Sequence, residues 1–124
     1  VYYAGPCPAK PSKPIGSVGP TTGGRMDAYS PTLIAEGLKV MIGKGSRSKE
    51  VVDALKQYTG VYFAAIGGAA ALMAKCVKSA EVIAFDDLGT EAIRRLEVEE
   101  LPVIVVLDCQ GNNAYERGRC EFEV

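Results

Sequence analysis

The segment SKEVVDALKQYTGVYFAAIGGAA, residues 48–70, carries the pattern of a helix followed by a strand, and this order indicates the fold class. Ser48 is a residue type that caps helices, and the apolar residues after it recur at the spacing of one helix face until Gly60. Residues 61–66 form a continuous apolar run, which is typical of a strand buried on both faces. Gly67 then opens an alanine-rich stretch that predicts a second helix through about residue 77.

The same alternation continues upstream of this segment. Residues 39–42 predict a short strand. Before them, Ser30 and the proline after it predict a capped helix that ends at Gly37, with Leu33 and Ile34 facing inward. Because strands that alternate with helices form parallel sheets, the pattern predicts an α/β domain with a mostly parallel central sheet.

The proline-rich start and the pair of segments within residues 92–107 indicate smaller antiparallel additions to this sheet. Residues 1–4 predict a strand, which leads into an extended arm with prolines up to Pro14. Further strands are predicted over 81–85 and 102–107, whereas 92–98 is ambiguous between strand and helix.

Composition bounds the function classes. A chain of 124 residues with a net charge of -1 is one ordinary domain with no basic face for nucleic acid. The longest apolar stretch, 64–74, is interrupted by glycines and is shorter than the ~20 residues of a spanning helix, so no membrane partner is expected. The chain begins at Val1 without a methionine, and we interpret it as a piece of something longer.

The metal-ligating residue types are sparse. The four cysteines form no Cys-x-x-Cys pair and there is no histidine, so we expect no metal site within this chain. We interpret each cysteine as a small, semi-buried apolar residue of a protein in a reducing compartment.

The densest polar segment is Gly19–Asp27, which combines two hydroxyls, a glycine-opened backbone, a guanidinium and a carboxylate. Each charge-assisted hydrogen bond from such groups to a carboxylate contributes roughly 1.5 to 3 kcal/mol. Glycine-bearing turns near positions 23, 43 and 67 each follow a strand and precede a helix, so we expect them at one edge of the sheet, where ligands gather. Arg25 and Lys44 add formal charge there, which predicts a pocket for a small anion.

Two phosphate-binding motifs are not satisfied. A Walker loop at Gly43-Lys44 needs Ser or Thr where Gly45 stands. A dinucleotide fingerprint that begins at Gly43 needs a third glycine where Ser48 stands, and this alternative stays remote.

Five motifs in order carry a resemblance to a known family. They are GPCPAKP at 5–11, IGSVGPTTGGRMDAY at 15–29, MIGKG at 41–45, YFAAIGGAAA at 62–71 and LGTEAIRRLEVE at 88–99. Together they resemble the β part of class I fumarate hydratases and L-tartrate dehydratases over nearly the whole chain. The resemblance implies a three-layer swivelling β/β/α domain over residues 1–124. It also implies reversible hydration of fumarate to S-malate by a cytoplasmic hydro-lyase.

The resemblance further implies a cofactor, partners and roles for particular residues. A 4Fe-4S cluster is expected on cysteines of an α subunit or N-terminal domain, not on this chain, and the assembly is expected to be an oligomer. Thr21, as the base, and Lys44 are the expected catalytic residues, whereas Arg25, Thr22 and Gly24 are expected to bind the dicarboxylate. Family members also carry an upstream segment with arginine and histidine, which this chain lacks.

Plainer interpretations accompany these roles. Thr21 and Thr22 are residue types that often cap turns, Arg25 is able to pair with Asp27 or Glu36, and Lys44 is able to stay a solvated turn residue. Asp27 is expected to cap or orient its loop. At position 23 relatives often have a bulkier residue, so the glycine is expected to loosen the loop. The alternative functions are an L-tartrate dehydratase and a non-catalytic module for small carboxylates.

Overall fold

The computed structural model describes residues 1–123 and divides into two compact units. Unit 1 comprises Val1–Tyr3, Thr22–Ala65 and the chain from Val103 onward. Unit 2 comprises Ala4–Thr21 and Ile66–Pro102.

Helices and strands alternate along the described chain. In order they are α1 Ser30–Ala35, β1 Val40–Gly43, α2 Lys49–Tyr58, β2 Val61–Ala64, α3 Ala70–Lys75, β3 Val77–Ala84, β4 Ile93–Val98, β5 Ile104–Leu107 and α4 Ala114–Phe122, with 3-10 helices at Gly23–Met26 and Asp86–Glu91. The predicted α/β class is confirmed. No helix in residues 1–123 is long and apolar enough to span a bilayer.

Unit 1 is built on a three-stranded mixed sheet in the order β1-β2-β5. β1 and β2 are parallel, with Val40 opposite Val61 and Gly43 opposite Ala64. β5 runs antiparallel to β2. The parallel pair places the carboxyl ends of β1 and β2 side by side, and this edge carries the candidate site.

The core of unit 1 lies between this sheet and the helices α1 and α2. Its fully buried side chains are Ile34, Met41, Val51, Leu55, Tyr62 and Leu107. The predicted cap of α2 is confirmed, because the Ser48 hydroxyl accepts a hydrogen bond from the Val51 amide at 3.4 Å. Leu33, in contrast, is 45% exposed, so the prediction that it faces inward is wrong. Adjacent helix positions point about 100° apart, and only Ile34 of this pair reaches the core.

Two local predictions in unit 1 are corrected, and one helix was not predicted. Ser30 does not cap α1, because its hydroxyl donates to the Met26 carbonyl at 2.8 Å and the residue lies inside the helix. Residues 1–4 form isolated bridges in place of a strand, and Tyr2 is bridged to Ile42 in one of them. The helix α4 was not predicted, and it begins where the Asn113 side chain accepts from the Tyr115 amide at 3.1 Å.

Unit 2 consists of the proline-rich arm, α3 and a two-stranded antiparallel sheet of β3 and β4. Of the ambiguous residues 92–98, all but Ala92 form the strand β4. α3 is shorter than predicted, because β3 already begins at Val77. The arm is held by backbone hydrogen bonds, from the Cys7 amide to Ser17 at 3.0 Å and from the Val18 amide to Ala70 at 3.1 Å.

Candidate functional site

The candidate site of unit 1 begins where β1 ends and the chain turns towards α2. Thr22 forms a parallel bridge with Lys44, and the Gly23 amide donates to the Lys44 carbonyl at 2.9 Å. The segment with Thr22, Gly24 and Arg25 is thereby fixed, through its backbone, against the turn with Lys44. Gly45 takes a left-handed φ of 81°, which glycine adopts without steric cost and which lets the chain reverse here.

A buried arginine that the sequence interpretation missed holds these two segments together. The Arg47 side chain is 0% exposed, and its Nε donates to Asp27 Oδ1 at 2.6 Å. Its terminal nitrogen donates to the Ser30 hydroxyl at 2.7 Å. The guanidinium also lies 4.9 Å from the centre of the Tyr62 ring and 5.5 Å from that of Tyr3, where cation–π attraction adds to the ion pair.

Asp27 completes the connection between the two segments. While Oδ1 accepts from Arg47, Oδ2 accepts from the Ser48 amide at 2.6 Å, at the start of α2. A carboxylate is favoured at that position because a helix N-terminus carries a partial positive charge. The expectation that Asp27 orients its loop is confirmed, and the alternative that Arg25 pairs with Asp27 is wrong, since Asp27 pairs with Arg47.

The two glycines of the Thr-Thr-Gly-Gly-Arg segment allow close backbone packing. Gly23 is buried, and a Cβ atom there would lie 2.7 Å from the Tyr62 hydroxyl oxygen. That hydroxyl is itself engaged, donating to the Gly45 carbonyl at 3.3 Å. Gly23 therefore tightens the loop against Tyr62, and the expectation of a looser loop is wrong. At Gly24 a Cβ would lie 3.3 Å from the Ser46 carbonyl oxygen, so the two turns are pressed together there as well.

Above this packed base, the polar side chains are accessible. Thr22, Arg25 and Lys44 are exposed, and within residues 1–123 neither Arg25 nor Lys44 forms an ion pair. Burial raises the pKa of Tyr62 to about 12, despite the opposing influence of Arg47, so this phenol stays protonated at neutral pH. The arrangement thus combines two unpaired surface cations with a rigid, packed floor that includes the uncharged Tyr62 phenol. This combination suits an anionic ligand.

The remaining candidates belong partly to the other unit. Thr21 is partly buried and is the last residue of its segment of unit 2, directly before Thr22. Gly67, the third of the predicted turn glycines, also lies in unit 2, whereas Gly23 and Gly43 lie in unit 1.

The side chains of this chain do not fit an iron–sulfur cluster. Within residues 1–123 no three Cys, Asp or Glu side chains gather closely enough to hold a metal ion. The four cysteines are free, with Cys7 and Cys76 in unit 2 and Cys109 and Cys120 in unit 1. Cys76 is partly buried, but the other three are exposed, so the prediction that they are semi-buried is wrong for those three.

Arg47 escaped the sequence interpretation because no motif marks it. It follows the glycine-bearing turn at Gly43–Gly45, where charged residues are commonly solvated. The one available signal was Asp27, a carboxylate beside an anion-binding candidate that needed a cation of its own.

Comparison with known proteins shows the family to which the chain belongs. Residues 1–118 match the family model described as Fumarase C-terminus. The chain is 43% identical over 119 residues to the aerobic class I fumarate hydratase of Escherichia coli strain K12, covering 94% of this chain and 22% of that protein. Fumarate hydratase 2 of Leishmania major is 43% identical over 119 residues, which cover 94% of this chain and 21% of that protein.

A shorter relative is covered more fully. The putative L(+)-tartrate dehydratase subunit beta of Methanocaldococcus jannaschii is 40% identical over 122 residues, covering 94% of this chain and 63% of that subunit. The chain spans about a fifth of the length of the fumarate hydratases that it matches. With the family model matched over 118 of 124 residues, the chain belongs to the Fumarase C-terminus family.

Proposed function

We propose that this chain is the β part of a hydro-lyase that hydrates fumarate reversibly to S-malate. The observation that carries the proposal is the backbone pairing of Thr22 with Lys44, which puts two unpaired cations on adjoining turns of a rigid loop pair. The proposal is also supported by the relatives, which include proteins described as class I fumarate hydratases.

The charges suit the reaction. Dehydration of malate removes a proton from the carbon beside one carboxylate and breaks the C–O bond of the hydroxyl on the neighbouring carbon, so that water leaves. Negative charge therefore accumulates on that carboxylate and on the departing hydroxyl. In the proposal, Arg25 binds one carboxylate with its planar fork, and Lys44 stabilises the developing charge as a compact cation. The exposed Thr22 hydroxyl donates a hydrogen bond to the bound dicarboxylate. Gly24 lets the backbone approach the dicarboxylate closely.

Proton transfer is assigned to Thr21. A threonine hydroxyl is a poor base by itself, so the proposal includes a neighbouring carboxylate from the α part that takes or holds its proton. A well-placed base contributes about 10² to 10⁴ in rate. The chain alone is therefore expected to be inactive.

The proposal assigns the 4Fe-4S cluster to an α subunit or N-terminal domain. Because the side chains of residues 1–123 do not form a cluster site, the roles proposed for this chain are limited to binding, charge stabilisation and proton transfer. The relatives described as fumarate hydratases are about five times as long as the matched region, which leaves room for such a part.

An exposed apolar surface supports the existence of that partner. Ile83, Phe85, Leu88 and Ile93 are 49–58% exposed at one end of the β3–β4 sheet. Phe85 is also held at a φ of 59°, a conformation that is rare for a bulky residue. We propose that the α part covers this surface in an assembled oligomer. We also propose that the assembly works in the cytoplasm, where the four free cysteines would stay reduced.

The direct test is an anaerobic malate–fumarate assay of the assembled protein. Lys44→Ala and Thr21→Ala are expected to abolish turnover while the cluster's absorption spectrum is unchanged. Lys49→Ala, which removes an exposed lysine paired with Asp53, is the matched control and should keep the wild-type rate. Near-wild-type activity of either site variant would contradict the proposal.

L-Tartrate dehydration is the second candidate, favoured by the similarity to the Methanocaldococcus jannaschii subunit. The same assay with L-tartrate in place of malate separates the two reactions. A non-catalytic carboxylate-binding module is distinguished by calorimetry, because only such a module binds malate tightly without the α part.

A further inference from the structure

Unit 2 contains a cleft between the proline-rich arm and α3. Its volume is about 380 Å³, and none of Thr21, Thr22, Arg25 and Lys44 lines it. This volume falls within the range of roughly 300 to 1,000 Å³ that is typical of small-molecule pockets. The cleft is therefore large enough for a ligand of its own.

A tight turn builds one wall of the cleft. The Lys13 amide donates to the Lys10 carbonyl at 3.1 Å, and the two intervening residues are Pro11 and Ser12. Proline is preferred at the second position of such a turn, and Ser12 adopts the left-handed φ of 63° that the third position of a type II turn requires. The turn brings the two lysines near each other on the same wall.

The wall is fixed by the arm behind it. The Cys7 amide donates to the Ser17 carbonyl at 3.0 Å, which joins the two limbs of the arm. A Cβ at Gly16 would lie 2.3 Å from the Cys7 carbonyl oxygen, so the limbs are in direct backbone contact at this point. Such packing predicts a preformed wall, which lowers the entropic cost of binding.

The charges around the cleft are of one sign. Lys10, Lys13 and Lys75 line it, no carboxylate does, and none of the three is ion-paired within residues 1–123. The whole chain, in contrast, has 15 acidic residues against 14 basic ones. The rest of the lining is largely apolar and includes Pro8, Pro14, Ala71 and Ala74, whereas Ile15 and Val77 are themselves buried.

We propose that this cleft binds a small organic phosphate with an apolar or aromatic body. Lysine ammonium groups bind phosphate as point charges, and three of them match a dianion better than a single carboxylate. The apolar side accommodates the body of the ligand. This site is separate from the residues of the proposed function and goes beyond it.

Phenyl phosphate is the probe for the test, titrated calorimetrically into the assembled protein. Lys13→Ala and Lys75→Ala are each expected to weaken its binding by about tenfold, which corresponds to one charge-assisted contact. Lys78→Ala is the matched control, because Lys78 is paired with Glu99 at 2.8 Å, does not line the cleft and should leave binding unchanged. Inorganic phosphate is expected to bind more weakly, since it lacks a body to cover the proline and alanine side chains of the lining.

Acetylation of surface lysines, read by mass spectrometry, gives an independent measurement on the same protein. Lys10, Lys13 and Lys75 should react in the free protein and be protected by phenyl phosphate. Absent binding, binding insensitive to both lysine variants, or equal affinity for inorganic phosphate would overturn the inference. Protection of the three lysines before the probe is added would also overturn it, because an acidic polypeptide would then fill the cleft. Malate turnover, measured separately, tests the proposed function and not this site.

Discussion

Replacing Asp27 by alanine tests whether the buried Arg47 holds the candidate site together. The substitution removes the acceptor of the 2.6 Å bond from Arg47 Nε and that of the 2.6 Å bond from the Ser48 amide. The guanidinium is then left 0% exposed without its counter-charge. Breaking a buried pair in this way typically costs about 3 to 5 kcal/mol, against a total stability of about 5 to 15 kcal/mol for a domain.

Urea unfolding followed by tyrosine fluorescence measures this loss. The chain has no tryptophan, and all six tyrosines lie in unit 1, so the signal reports the unit that contains Arg47. Urea is uncharged and leaves the ion pair unscreened. Asp53→Ala is the matched control: it removes a 2.6 Å bond of the same type, but from side chains that are 83% and 54% exposed, and should shift the midpoint little.

A double-mutant cycle separates the ion pair from other effects. Arg47→Met removes the charge but keeps an apolar side chain in place, so Asp27→Ala should cost far less in that background. We expect a coupling free energy of about 0.5 to 3 kcal/mol. The reasoning is refuted if Asp27→Ala unfolds at the same urea concentration as Asp53→Ala, or if the two substitutions are additive.

Three further predictions concern packing, pH and the partner. Gly23→Ala should destabilise the chain by about 1 to 3 kcal/mol in urea unfolding, because its Cβ would lie 2.7 Å from the Tyr62 hydroxyl. Gly118→Ala, in α4 with nothing nearby, should stabilise the chain by about 0.5 to 1 kcal/mol. The reverse order of stabilities would contradict the packing described for Gly23. The hydrogen bond from Asn112 is the main cause that lowers the pKa of Asp108 below 3.8, so its stabilisation is present above that pH and lost as the pH falls below it; the stability difference between wild type and Asp108→Asn should shrink between about pH 6 and pH 2.5, and a constant difference would contradict this. Phe85→Ser should leave circular dichroism unchanged and weaken co-purification with the α part, and undiminished co-purification would exclude Phe85 from the interface.

Patterns that depend on neighbouring residues in the sequence were predictable. The apolar spacing after Ser48 gave α2 and its cap, and the run at 61–66 gave β2, because helix faces and strands are encoded by local periodicity. The glycine-rich loop is an anion-binding candidate on the same grounds, since its residue types lie close together in the chain, and its role stays a prediction.

Features that depend on distant residues were not predictable. Arg47 meets Asp27 and Ser30 only after β1 and α1 have folded, so nothing near it in sequence marks it as buried. Ser30 is a residue type that caps helices, but its hydroxyl is already engaged. It donates to the Met26 carbonyl and accepts from the Arg47 guanidinium. The helix α4 is polar, with three of its charged residues in i,i+4 pairs, and lacks the apolar stripe that marks α2.

The central claim is that the unpaired cations Arg25 and Lys44 bind a dicarboxylate, and the most direct test is the affinity of the assembled protein for succinate. Succinate has the two carboxylates but neither the hydroxyl nor the double bond of the substrates, so calorimetry measures binding without turnover. Arg25→Gln and Lys44→Gln are each predicted to weaken its binding by about 10- to 100-fold, the equivalent of one charge-assisted contact. Succinate affinity that is unchanged in both variants would contradict the account.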